Sequence, residues 1–434
     1  MRMRDALLSV IRSQVGVALG CTEPVAVALA AAYAARAIGG EVERVVVTTD
    51  PNVFKNGMGV YVPSTDAIGL DIAAAIGAIG GDPQRGLEVL ASIRPEHKKK
   101  METFMQDPNA VDVSVEGDPQ HLKITAKVFT PNGWGYAEIF GSHENLILLK
   151  TDKETLYESA PITKNTKSTL KDEVLNQNSI AELIAAIETF TEEELQFLLD
   201  GAEANYRAAL VGLKEAPGLG IGAKMHALME KGLLADDLAN KVGMYSAAAS
   251  DARMRGLNVP ITTTNGSGNQ GISASVSIYV AAQELGITGV KRVRAMAISQ
   301  MMTIMVKNSM GLLSSLCACT IAAAIGATSG IIYLYGGNSE IIENGVNNSA
   351  ADILGIICDG AKPGCAIKIA SSLANAAKHA LYALEGLQVS SSNGIVGETA
   401  KESIANIGLI SGPGMVGTGD TILEIMVKKK KCCS

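Results

Sequence analysis

Apolar positions recur at helical spacing through the first forty residues. ALLSVIRSQVGVAL carries one apolar stripe, and after Pro24 the run VAVALAAAYAARAI continues to a glycine pair at Gly39 and Gly40, the punctuation of two successive helices. The period then changes. VERVVVTTD and GVYVP read as strands, whereas STDAIGLDIAAAIGAIGG, DPQRGLEVLASI and RPEHKKKMETFMQ return to helical spacing. Three strand-like runs follow, AVDVSVEG, HLKITAKVFTP and YAEIFGSHENLILLKTD, separated by turn signals at GDPQ and PNGWG. KNTKSTLKDEVLNQNS reads as a polar linker or surface loop. Beyond it lies a nearly unbroken series of helical patterns to about residue 385, with no fixed-period repeat. The closing KKKKCCS reads as a solvated, frayed end.

These periods predict an α+β fold with a large, mainly helical domain and an inserted smaller α+β module. The expected division places residues 1–40 as N-terminal helices packing with a helical domain of residues 161–434, and the α+β module at residues 41–160.

Composition refines the interior. The 434 residues are 47% hydrophobic but only 4% aromatic, with 45 glycines, so the core is built from small side chains that let helices approach closely. A formal charge of −7 argues against a nucleic-acid partner, because phosphate binding needs a basic face. No charged residue occurs from Asn308 to Ser339, a length that can mark a membrane span. That run is rich in Ser, Thr, Gly and Ala, however, and a lone span would leave those polar groups facing lipid. A buried helix in a domain outside the membrane is the better reading. MRMRDALLSVIRSQ lacks the long apolar core of a secretory signal. The expectation is a cytoplasmic protein with reduced thiols, and self-association into a homo-oligomer is compatible with the sequence.

Three groups of residues carry candidate chemistry. In GCTEP, Cys21 stands at a helix entrance, where the helix dipole lowers a thiol's pKa, and Glu23 beside it can act on a proton; a buried cysteine next to a Pro-initiated helix is the competing account. TTTNGSGNQG presents Asn265, Ser267, Asn269 and Gln270 in a glycine-rich loop before a helix, a setting suited to a carboxylate or another small anion. It is neither a Walker A loop nor a dinucleotide fingerprint. Finally, Cys317 and Cys319 form C-A-C, and Cys358 and Cys365 bracket CDGAKPGC. Thiolates are soft ligands suited to iron–sulfur clusters, zinc or copper(I). Helical spacing would put Cys317 and Cys319 on different faces, so three ligands are easier to gather than four: one from C-A-C, with Cys358 and Cys365. Inert buried cysteines are the alternative. Lys307 and Lys362 flank these segments and could neutralise a cluster's charge or a substrate carboxylate; a surface lysine is an equal reading of either. In VFKNG, Lys55 and Asn56 offer further substrate contacts, although a turn between strands explains that segment more simply. The five histidines form no metal-binding pattern.

Six ordered motifs, GCTEP, VFKNGMGVYVPST, SAAASDARMRG, TTTNGSGNQGI, SLCACTIAAAIGA and ICDGAKPGCAIK, resemble the L-cysteine desulfidase family, which is related to the α subunit of iron–sulfur L-serine dehydratases. The resemblance spans nearly the whole chain. It implies an oxygen-sensitive enzyme with a [4Fe-4S] cluster and no pyridoxal phosphate, converting L-cysteine, a small amino acid substrate, to pyruvate, ammonia and hydrogen sulfide. It further implies Cys21 as the proton acceptor, and Cys358, Cys365 and one of Cys317 and Cys319 as cluster ligands. L-Serine with the same cluster, or a thiol-rich protein that binds a metal or small molecule without catalysis, are the rival expectations.

Overall fold

The computed structural model describes residues 2–18, 22–117, 121–160, 169–257, 259–311 and 314–433. Its first part contains α1 (Met3–Gln14), β1 (Val15–Ala18), α2 (Thr22–Ile38), β2 (Arg44–Thr49), α3 (Pro51–Gly57), α4 (Leu70–Gly80) and α5 (Pro95–Phe104). The strands β3 (Val111–Val115), β4 (Lys123–Thr130), β5 (Gly133–Phe140), β6 (Leu146–Thr151) and β7 (Thr155–Glu158) follow. Next come α6 (Leu170–Gln177), α7 (Ile180–Ile187), α8 (Glu192–Glu215), α9 (Ile221–Glu230), α10 (Leu238–Met254) and β8 (Ile261–Thr264). The chain ends with α11 (Gly268–Glu284), α12 (Gly289–Met310), α13 (Ile321–Leu334), α14 (Ser339–Asp352), α15 (Cys365–Leu384), α16 (Ala400–Ser411) and α17 (Val416–Cys433). The architecture is a large, mainly helical domain with a smaller inserted β-containing module.

The module's sheet has the order β3-β2-β4-β5-β6-β7, parallel only between β2 and β3. Alternate residues on β2, β4 and β5, among them Val45, Val47, Ile124, Val128 and Ile139, are buried, as expected of a sheet covered on one face. The cover is α2, which lies in one core with α4 and the strands. Its alanines leave no bulk between helix and sheet. The opening helices therefore separate: α1 buries Leu7, Val10 and Ile11 in the helical domain's core, whereas α2 belongs to the core around the sheet.

Several local readings change in the structure. The stripe ALLSVIRSQVGVAL ends as a helix at Gln14, and VGVA pairs as a strand with β8. VFKNG is helical rather than a turn, because Asp50 caps α3 by accepting from the amides of Asn52 (2.8 Å) and Val53 (3.1 Å). GVYVP forms no strand, only an isolated bridge between Tyr61 and Ile68. Part of the polar segment after residue 160 folds as α6, started by reciprocal capping of Thr169 and Asp172. The C-terminal lysines continue α17 as far as Cys433.

In the helical domain, hydroxyls buried in apolar helices find backbone acceptors. Ser329 donates to the Ile325 carbonyl at 2.9 Å and Thr328 to that of Ala376 at 3.1 Å. The uncharged run from Asn308 to Ser339 is divided between the end of α12, a non-helical stretch and α13. No helix among the described residues is long and apolar enough to cross a membrane. Small residues set the helix spacing: a Cβ at Gly326 would lie 2.1 Å from Thr303 Oγ1 and 2.4 Å from the Ser299 carbonyl oxygen, so α13 rests on α12 at this point. Buried Asp251 on α10 caps a neighbouring helix, its Oδ2 accepting from Gly222 N of α9 at 3.0 Å.

Gly326→Ala should lower stability by about 1–3 kcal/mol through overpacking, read as a shift in the urea midpoint; an unchanged midpoint would contradict the close approach. Burial raises the Asp251 pKa to about 6, against backbone N–H groups at Gly222, Ile221 and Gly220 that favour the carboxylate. The folded state thus favours the protonated acid, so this group's contribution is greatest below about pH 4 and is lost as pH rises through about 6. Relative to Asp251→Asn, wild-type stability should fall by about 2–3 kcal/mol between pH 4 and pH 7. Parallel stability–pH curves for the two proteins would refute this.

Candidate active site

Two pairings between distant segments build the site. In the first, β1 and β8 form an antiparallel ribbon with Val15 opposite Thr264 and Ala18 opposite Ile261. The chain after β1 leads into α2, and that after β8 leads into α11. Asn265 N donates to the Gln14 carbonyl at 2.8 Å, which closes the ribbon's end. Asn265 has φ of 50° and starts a tight turn in which Ser267 N donates to Thr264 O. Ser267 then caps α11 by accepting from Gln270 N.

The second pairing is a single bridge between Leu316 and Ile357. Cys317 N donates to Ile356 O at 2.9 Å, and Cys358 N donates to Ser315 O at 2.7 Å. The Cys317 carbonyl also accepts from Thr320 N and Ile321 N at the start of α13. Between Gly311 and Thr320 the described residues form no helix. The expected obstacle, two cysteines on opposite faces of a helix, is thereby removed: both Cys317 and Cys319 line one cavity with Cys358 and Cys365.

That cavity has a volume of about 140 Å³, and Glu23, Asn56, Asn265, Ser267, Asn269 and Gln270 also line it. Four helices begin there: α2 at Thr22, α11 at Gly268, α13 just after Cys319, and α15 at Cys365. Helix N-termini carry partial positive charge and unpaired amides, so their convergence favours anions. Lys307 and Lys368 add to the lining. Burial pushes the Lys307 ammonium down to about 8, while Cys319, Cys358 and Cys317 nearby oppose that shift. The Cys317 thiol is pushed up to about 11, chiefly by its hydrogen bond with Cys319 and also by burial. Cys358 is raised well above the ordinary thiol range, first by its hydrogen bond with Cys317 and then by burial. Crowded thiols cannot all ionise without a cation among them.

The other predicted residues take distinct places. Glu23 is held at both oxygens, Oε1 accepting from Asn56 Nδ2 and Oε2 from Thr22 Oγ1, each at 3.1 Å. Ser267 Oγ contacts Cys319 Sγ at 3.3 Å. Asn269 is tied to α10, since its Oδ1 accepts from Ser250 Oγ and its Nδ2 donates to Met254 Sδ. Gln270 donates through Nε2 to Asn265 Oδ1 at 3.0 Å, and Asn265 donates to Gln14. Lys55 is buried beneath the loop after Cys358, where a Cβ at Gly360 would lie 2.1 Å from the Lys55 carbonyl oxygen. Lys362 turns away to pair with Asp359, which Lys368 also holds. Although burial opposes it, these two lysines bring the Asp359 carboxyl down to about 2. Cys21 lies outside the described residues.

Sequence reasoning did not single out Thr22, His143, Arg253 or Lys368 as part of this lining. For Arg253 a signal existed: a charged residue inside SAAASDARM, a stretch of α10 whose residues are all buried.

Among the described residues, no three His, Cys, Asp or Glu side chains are arranged to hold a single metal ion. The donor set nonetheless fits an iron–sulfur cluster in its chemistry, because four soft thiols line one cavity within a cationic surround.

Comparison with known proteins bears on this site. Residues 84–424 match the family described as serine dehydratase alpha chain. The chain belongs to that family. It is also 38% identical to a UPF0597 protein of Desulfatibacillum aliphaticivorans, over 99% of both chains. A UPF0597 protein of Clostridioides difficile (strain 630) is 36% identical over 96% of this chain and 98% of its own. UPF0597 protein YhaM of Salmonella typhimurium is 36% identical over 98% and 97%. The family match covers all four cavity cysteines, whereas Glu23, Lys55 and Asn56 precede it; the full-length relatives span both parts.

Mild oxidation with diamide of the metal-free protein should link Cys358 to Cys317 or Cys319, a disulfide that peptide mass spectrometry would identify. Failure of these thiols to join, while exposed thiols react, would contradict their contact.

Proposed function

We propose that this chain catalyses β-elimination from a small L-α-amino acid with a leaving group on Cβ, releasing ammonia and leaving pyruvate. The observation that carries the reading is the cavity where four thiols and four helix starts meet Glu23, in a chain of the serine dehydratase alpha chain family. The family relation favours an iron–sulfur L-serine dehydratase activity, with hydroxide as the leaving group. The six ordered motifs that resemble L-cysteine desulfidases support L-cysteine as the second reading, with sulfide leaving instead.

Cys358 and Cys365, with Cys317 or Cys319, would hold a [4Fe-4S] cluster. When bound, it would supply a Lewis-acidic iron for the leaving group. The chain's residues account for the rest. The amides opening α11, with Ser267, favour the substrate carboxylate. Glu23, clamped by Thr22 and Asn56, is oriented to accept a proton, and Cys21 remains the proposed acceptor of the Cα proton. Loss of that proton and of the β-substituent gives an aminoacrylate, which tautomerises and hydrolyses to pyruvate and ammonia. Serine consumes no net water, because the water lost in elimination is returned at hydrolysis. Cysteine consumes one water and releases hydrogen sulfide.

The test is anaerobic purification followed by iron and acid-labile sulfide analysis, with ammonia, pyruvate and sulfide measured from L-serine and L-cysteine. Ammonia and pyruvate without sulfide release from L-serine, at the higher kcat/KM, would support the dehydratase; sulfide release favoured from L-cysteine would support the second reading. Cluster-loaded protein inert toward both would refute the elimination. Cys358→Ser should abolish iron retention, and unchanged iron content would remove that residue from the ligand set.

A further inference from the structure

We propose that the side-chain carbonyls of Gln270 and Asn56, with the Glu23 carboxylate, bind the α-ammonium of the substrate; this assignment rests on the amino acid elimination above. All three residues line the thiol cavity. Gln270 is fully buried, and its Oε1 has no hydrogen-bond partner among the described residues. The Oδ1 atom of Asn56 is likewise buried and without one. Two acceptors withdrawn from water in this way are costly until a donor reaches them.

A polar relay fixes which atom of each amide is left over. The Val10 carbonyl can only accept, and it takes the Ser13 hydroxyl proton at 2.8 Å. Ser13 Oγ therefore accepts from Gln14 Nε2 at 3.3 Å, and Gln14 Oε1 accepts from Asn265 Nδ2 at 2.9 Å. Asn265 Oδ1 in turn accepts from Gln270 Nε2 at 3.0 Å. Turning over any one of these amides would set donor against donor or acceptor against acceptor. Polarity thus passes from the backbone of α1 to the cavity lining, where Gln270 ends as an acceptor. Asn56 is set by a shorter route: its Nδ2 donates to Glu23 Oε1 at 3.1 Å, and a carboxylate only accepts. The first turn of α11 is itself pressed on β8, since a Cβ at Gly271 would lie 2.1 Å from the Thr262 carbonyl oxygen.

The left-over atoms select a ligand by kind. An ammonium has three donors and no acceptor, so two amide carbonyls and a carboxylate match it in number and character. The Glu23 charge also opposes that of the ammonium, which strengthens the hydrogen bonds. A carboxylate would meet only repulsion from this set, and a hydroxyl or thiol offers a single donor. Gln270 therefore serves the end of the amino acid opposite to the one its glycine-rich loop suggested. The amides opening α11 are left for the carboxylate.

The test compares L-alanine with propionate by calorimetry on anaerobically prepared wild-type protein, Gln270→Met and Asn56→Leu. L-Alanine has no leaving group, so it binds without turnover; propionate keeps the carboxylate but lacks the ammonium. Wild-type protein should prefer L-alanine. Each variant should weaken L-alanine binding by about ten- to a hundred-fold, with propionate affinity and iron content unchanged. Asn265→Leu, which removes the last acceptor of the relay and lets the Gln270 amide turn over, should lose part of the L-alanine affinity in the same selective way. Undiminished L-alanine affinity in Gln270→Met, equal losses for both ligands, or iron loss that accounts for weaker binding would overturn the assignment. Gln270-dependent L-alanine binding in a protein that eliminates neither serine nor cysteine would uphold the ammonium site while refuting the lyase reading. Elimination of either amino acid, with L-alanine affinity unchanged in Gln270→Met, would do the reverse.

Discussion

The electrostatics of one cavity depend on four helices starting at the same place. Each contributes amides and the positive end of a dipole, and the lysine and arginine side chains around them have the same sign. Such a focus favours what the proposed reaction brings there: thiolate ligands, an anionic cluster and a substrate carboxylate. The thiols show the other side of this arrangement, since Cys319 opposes the ionisation of Cys317 and Cys317 opposes that of Cys358. The positive surround and the thiol group are each costly alone, and an anionic cofactor of the kind proposed would offset both costs.

Short β-pairings rather than helix packing bring these starts together. The β1–β8 ribbon fixes the beginnings of α2 and α11, and the Leu316–Ile357 bridge fixes both cysteine segments. The small side chains of the interior allow helices to pack closely around them, as at Gly326, while backbone carbonyls satisfy hydroxyls within the apolar run. The inserted module takes part in the site. α2 is embedded against the module's sheet yet begins at the cavity, and α3 supports the loop after Cys358. Its position gives the module a direct role in orienting Glu23 through Asn56.

Many of the polar residues that line the cavity were legible in the sequence, because the cysteine pairs, Glu23 in GCTEP and TTTNGSGNQG stand out locally. So was the α+β architecture, since the hydrophobic period changes along the chain. What was not legible depends on distant partners. VGVA continues the apolar stripe of α1 and becomes a strand only because Ile261–Thr264 pairs with it. The break before α13 depends on Ile356 and Ile357, some forty residues later, so periodicity alone extended helical spacing through C-A-C. Asp50 turned VFKNG helical by capping, a local signal overshadowed by the neighbouring strand pattern. Arg253 shows a different blind spot: its burial against Gly268 follows from α10 crossing the start of α11.

The most direct measurement is Mössbauer spectroscopy of iron-57-enriched protein purified without oxygen, recorded before and after addition of L-serine or L-cysteine. The account predicts a [4Fe-4S] signal in which one iron environment responds to the amino acid and the others do not, with the signal absent from Cys358→Ser. Ammonia release by iron-free protein, or a cluster signal indifferent to both substrates and to loss of Cys358, would contradict it.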